Sequence, residues 1–102
     1  MKEYELYVPL TFNDGSPVDP KMVETIGEQL LEEFGGLTFF PQLNQGLWRM
    51  GHVTFRDQIV IFRVLTSDVR GARRFFRALK RRLKTDLKQE EILIVEKQAE
   101  TL

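Results

Sequence analysis

Within the ten residues from Trp48 to Asp57 the chain places its only tryptophan, its only histidine, two arginines, a phenylalanine and an acid. These types suit a ligand cleft. Trp48 and Phe55 would form an aromatic wall, Arg49 and Arg56 would hold an anion, and His52 can move a proton near neutral pH. Alternation along a strand sets His52, Thr54 and Arg56 on one face and Val53 and Phe55 on the other. With Tyr7 carried in from an earlier strand, the candidate cleft is Tyr7, Trp48, Arg49, His52, Arg56 and Asp57. The plainer reading is structural: Trp48 and Phe55 are core, Arg56 and Asp57 a local ion pair, His52 a surface residue. No second histidine and no paired carboxylates stand nearby, so the pattern indicates neither a metal site nor acid/base pairing. No catalytic residue and no cofactor is assigned, and the balance leans away from an enzyme.

The second chemical feature is a row of cations: Arg70, Arg73, Arg74, Arg77, Lys80, Arg81, Arg82 and Lys84. Arg70, Arg73, Arg74, Arg77 and Arg81 are the candidate surface for an anion or a nucleic acid, which such a stripe would bind in a salt-dependent way. Against this, Glu24, Glu28, Glu32 and Glu33 lie in the preceding helical segment, where they can meet the arginines if the two helices lie side by side. Fifteen basic residues balance fifteen acidic ones, so no net charge draws the whole molecule to a polyanion. The sequence therefore disfavours nucleic acid and reads the stripe as solvated or paired between helices.

Composition narrows the remaining classes. At 102 residues, 42% apolar and 29% charged, the chain matches a single globular domain spanning residues 1–102. It has no cysteine, which removes disulfides and thiolate chemistry. No apolar run approaches the ~18 residues of a membrane span, and Met1 to Leu6 carries acids where a signal peptide needs an apolar stretch. The expectation is a cytoplasmic protein with no membrane partner.

The elements that must position these residues follow from periodicity. Tyr4, Leu6, Val8 and Leu10 alternate with polar neighbours, marking a strand over Glu3 to Leu10. Asp19 and Pro20 suit the cap and first position of a helix, which the stripe Val23, Ile26, Leu30 and Phe34 continues until Gly35 ends it. Leu37 to Phe40, Leu47 to Met50 and His52 to Arg56 are short β pieces. Pro41 to Gly46 is expected as a turn, and Gly51 as a break or bulge. Ile59 to Leu65, polar only at Arg63, is the strongest strand and calls for cover on both faces. A second helix runs from Val69 to about Lys84, buried along Val69, Ala72, Phe76, Leu79 and Leu83. Glu91 to Val95 is a last strand, and Lys97 to Leu102 a frayed tail.

This order predicts an α+β fold: a ferredoxin-like split βαβ sandwich, with an antiparallel sheet, both helices on one face and an extended β region between the helices. Val60, Phe62 and Val64 would face the helices, leaving Ile59, Ile61 and Leu65 outward with Tyr7. An uncovered apolar sheet face marks an interface or a cleft.

Gly36-Leu37-Thr38, Gly46-Leu47-Trp48-Arg49, Gly51 and Arg56-Asp57, ahead of the apolar strand, resemble the pattern of small bacterial ferredoxin-like domains of unknown function. The resemblance spans about thirty residues and implies that fold without an activity. The resulting expectation is a self-associating module, a homodimer through the uncovered sheet face or edge, which binds a protein or a small ligand. The alternative is a cofactor-free enzyme or ligand-binding domain of the dimeric α+β barrel type, built on Trp48, Arg49, His52 and Arg56.

Overall fold

The computed structural model describes residues 1–102, the side chain of Leu43 excepted. Its elements are β1 (Lys2–Pro9), α1 (Pro20–Phe34), β2 (Thr38–Met50), β3 (Val53–Thr66), α2 (Val69–Asp86) and β4 (Ile94–Gln98). Asp19 caps α1, its Oδ1 accepting from the Lys21 amide at 2.9 Å, and Pro20 takes the first turn, where no N–H is needed. Gly35 ends the helix with φ at 75°, a left-handed conformation cheap only for glycine. Asp68 caps α2 through the Gly71 amide at 3.0 Å. No helix is long and apolar enough to cross a membrane.

The architecture is α+β: a four-stranded antiparallel sheet in the order β2-β3-β1-β4, with two helices. Register fixes the faces. Tyr4, Leu6 and Val8 of β1 stand opposite Val64, Phe62 and Val60 of β3, and all six are buried in the core with Ile26 and Leu30 of α1 and Ala72, Phe76, Leu79 and Leu83 of α2. Both helices therefore cover one face. Aromatic contacts tie the layers, with Phe76 stacked on Tyr4 at 4.9 Å and on Phe34 at 5.5 Å. Gly27 lets α1 come close to the sheet, since a Cβ there would meet the Phe62 ring at 3.2 Å.

On the opposite face stand Glu3, Glu5, Tyr7 and Pro9 of β1, paired with Leu65, Arg63, Ile61 and Ile59 of β3. No helix lies over them. The outward placement of Ile59, Ile61, Leu65 and Tyr7 follows the alternation of the sequence.

Three boundaries differ from the sequence expectation. Residues 41–46 do not form a turn: β2 runs through them, with its pairing interrupted only between Phe40 and Asn44. Pro41, which has no N–H for a ladder, falls within that interruption. Leu47 to Met50 and Val53 to Arg56 belong to two long strands joined at a tight turn of Gly51 and His52, where Gly51 has φ at 62°. Such a glycine suits a two-residue hairpin turn. The last strand is displaced toward the C-terminus, to Ile94–Gln98, so Lys97 pairs in the sheet opposite Glu3 instead of fraying.

Candidate ligand cleft

The β2–β3 hairpin extends past the end of β1 as an arm, and its pleat divides the chemical cluster from Trp48 to Asp57. Trp48 lies opposite Phe55, and Gly46 opposite Asp57, on the uncovered side. Leu47 and Arg49 lie opposite Arg56 and Thr54 on the other side, and His52 is exposed in the turn. Trp48 stacks on Phe55 with ring centroids 4.5 Å apart, and its indole Nε1 donates to Asp57 Oδ2 at 2.9 Å. Of the six residues named from sequence, the structure brings Tyr7, Trp48 and Asp57 together. Arg49, Arg56 and His52 stand apart from them and exposed.

Tyr7, Trp48 and Asp57 share a mainly apolar cleft of about 300 Å³ with Pro9, Gly46, Leu47 and Ile59. Gln89, Glu91, Ile92 and Leu93 close its far wall. Sequence reasoning missed this wall, because it reads Glu91 to Leu93 as the start of the last strand, whereas β4 begins only at Ile94. Its placement has a physical cause: Leu87 and Ile92 are fully buried, Gln89 Nε2 donates to the Leu87 carbonyl at 3.1 Å, and the Tyr7 amide donates to the Leu93 carbonyl at 3.1 Å. The segment is thus pinned at both ends and laced to β1. Gly46 contributes empty space. A Cβ there would meet the Asp57 carbonyl oxygen and Ile59 Cδ1 at 3.8 Å, ordinary contact distances, so a larger side chain would occupy the cleft without straining the strand.

The charge in the cleft is acidic. Glu91 is paired with Lys80 at 2.9 Å, and that lysine, with the Ile92 amide, holds its carboxyl below the usual range. Asp57 has no cationic partner within 4 Å among the described residues. One of its oxygens takes the indole N–H, and the other is left for a donor. Burial pushes the Tyr7 phenol up, helped by the nearby Glu5 carboxylate.

Next to the cleft, the same face carries a polar network. Lys97 Nζ approaches Glu5 Oε1 at 2.5 Å and Glu3 Oε2 at 3.1 Å; Arg63 Nε lies 3.5 Å from Glu3 Oε1, without hydrogen-bond geometry. The Arg63 guanidinium also covers the Phe40 ring at 4.8 Å. Glu5 is buried, and the Lys97 ammonium keeps its carboxyl below the ordinary value despite the cost of desolvation. The alternation of Glu3, Glu5 and Arg63 with apolar neighbours was the available sign; the missing piece was that Lys97 belongs to β4.

Along α2, Arg73 forms two 2.8 Å hydrogen bonds to Glu96 of β4, whose Oε1 also accepts from the Tyr4 hydroxyl at 2.6 Å. These contacts bring Glu96 down to about 2, the Arg73 hydrogen bond first, while burial and Glu96 push Tyr4 up to about 12. Arg82 donates to Gln29 of α1. Arg70, Arg74, Arg77 and Arg81 are exposed, and no ion pair joins α1 to α2 among the described residues. Among the described residues Glu24, Glu28, Glu32 and Glu33 form no ion pair with the row.

No protein-family model matches this chain, and no curated protein or solved structure matches it significantly.

Proposed function

We propose that the chain is a non-enzymatic binding module with a ferredoxin-like sandwich fold, taking a small apolar ligand with a positively charged end in the cleft on its uncovered sheet face. The strand order β2-β3-β1-β4 with the alternation βαββαβ supports that fold. The observation that carries the functional reading is the pairing of an apolar cleft of about 300 Å³ with an Asp57 carboxylate that has no cation within 4 Å among the described residues. That volume lies at the small end of ligand sites. Trp48 supplies a ring face for a cation and Asp57 its counter-charge. The arginines expected to hold an anion are on the other side of the arm, so the ligand has the opposite sign from the one their presence suggested. A cysteine-free chain suits a cytoplasmic setting.

Trp48 is the only tryptophan, so its emission reports the cleft directly. Titration with benzylamine, a cation at neutral pH, is expected to change Trp48 emission with millimolar affinity, and benzoate to bind at least ~5-fold more weakly, the scale of one partly exposed charge pair. Gly46→Val is expected to abolish the response. Equal affinity for the two probes, or an unchanged response in Gly46→Val, overturns the reading.

A second reading, a homodimer through the same face, is favoured by exposed apolar side chains at its two ends: Met50 is 50% exposed and Val53 56% at the hairpin tip, and Leu65 43% at the far end of β3. Light scattering should then give twice the chain mass, and Val53→Asp should return the monomer. A monomer at all concentrations removes this second reading and leaves the cleft intact.

A further inference from the structure

We infer that α2 is a docking surface for the phosphate backbone of a double-stranded nucleic acid, through Arg70, Arg74, Arg77, Arg81 and Lys84. This surface is independent of the cleft and lies on the opposite side of the sheet. α2 carries eight cations against one acid, Asp86. Two of the eight are neutralised within the fold, Arg73 by Glu96 and Lys80 by Glu91, and Arg82 is occupied by Gln29. The remaining five recur at steps of three and four residues, which aligns them along one side of the helix, away from the buried stripe Ala72, Phe76, Leu79 and Leu83. All five are exposed and have no carboxylate within 4 Å among the described residues.

The partner follows from this chemistry. At 1.5 Å per residue the row from Arg70 to Lys84 is about 21 Å long, a rigid line of charge matching a regular array of phosphates. Four of the five are arginines, whose planar forks pair with phosphate oxygens two at a time. The row includes no aromatic side chain on which unpaired bases would stack, which points to a duplex backbone and to binding without sequence preference. Zero net charge does not oppose this, because among the described residues the acids of α1 form no ion pair with the row.

The test is fluorescence anisotropy with a labelled 24-base-pair DNA duplex across a salt series, using the full chain. If all five contacts form, affinity should fall about 500-fold between 50 and 200 mM salt, from a slope of roughly −0.9 per phosphate contact. The variant Arg70→Gln/Arg74→Gln/Arg77→Gln/Arg81→Gln, which removes no ion pair of the fold, should lose binding while keeping its circular dichroism and melting profile. As a control for bulk charge, Glu24→Gln/Glu28→Gln/Glu32→Gln should bind within about threefold of the natural sequence. No binding at 50 mM salt, salt-independent binding, or full binding by the arginine variant overturns the inference. It is also overturned if the natural chain oligomerises at low salt and either variant abolishes this, since the arginine row would then serve the acidic α1 of a second copy.

Discussion

The two faces of the sheet are made from the same strands and differ in almost every physical respect. The covered face is built from Tyr4, Leu6, Val8, Val60, Phe62 and Val64, each at most 4% exposed, and its one polar handle, the Tyr4 hydroxyl, is satisfied at the edge by Glu96. The uncovered face mixes a carboxylate–ammonium network, an aromatic pair and a cleft whose Asp57 has no cationic partner within 4 Å among the described residues. Folding free energy therefore concentrates on the first face. The second is free to hold groups that contribute little to folding, including an empty space at Gly46 and an uncompensated charge at Asp57.

The largest effects should come from the covered face. Leu6→Ala or Leu30→Ala, both fully buried, should cost ~2–5 kcal/mol in urea unfolding. Ile61→Ala, on the uncovered side, should cost less than about 1.5 kcal/mol, because its side chain is only partly buried. Equal costs would mean that the second face is covered in solution, and would shift weight to the dimer. Tyr4→Phe removes a hydrogen bond to a charged acceptor and should lower stability by ~1.5 kcal/mol, the low end for such bonds because Glu96 is exposed and keeps Arg73.

Titration separates the faces further. Glu96 is held down at about 2 in the folded chain, chiefly by Arg73, so its contribution is fully present above the ordinary glutamate range and is lost as pH falls toward 2. Tyr4 is pushed up to about 12, mainly by burial and then by Glu96. Its neutral form is the one the fold favours, so that contribution is present below about pH 10 and lost as pH rises toward 12. Urea midpoints across pH should therefore fall at both extremes, and Tyr4→Phe should flatten the alkaline fall while leaving most of the acid one. The smallest effect expected is that of Gly46→Val on stability, within about 1 kcal/mol, since valine suits a strand and Gly46 has no positive φ.

Much of the covered face was legible in the sequence. The Asp19-Pro20 start and Gly35 stop of α1, the stripe Ala72, Phe76, Leu79 and Leu83 of α2 and the alternation of Val60, Phe62 and Val64 in β3 are all local signals. The cleft was legible in part. Alternation separated Arg56 from Phe55, but the partners of Trp48 depended on where β2 and β3 turned, and Gly51 serves a turn or a bulge equally well. The wall from Gln89 to Leu93 and the sheet position of Lys97 depend on Ile92 reaching the core, a long-range contact with no periodic signature. The pairing of Arg73 with Glu96 in place of a glutamate of α1 is of the same kind, because helix charges meet whichever neighbour the packing angle presents.

Cation binding in the cleft of the uncovered face is read by mapping backbone amide shifts by NMR as benzylamine is added. The amides of Gly46, Asp57 and Leu93 and the Trp48 indole N–H should move together along one saturating curve, with α1 and α2 unmoved. Shifts confined to the groove between the helices, or no saturable shift at Gly46 and the Trp48 indole, would contradict it.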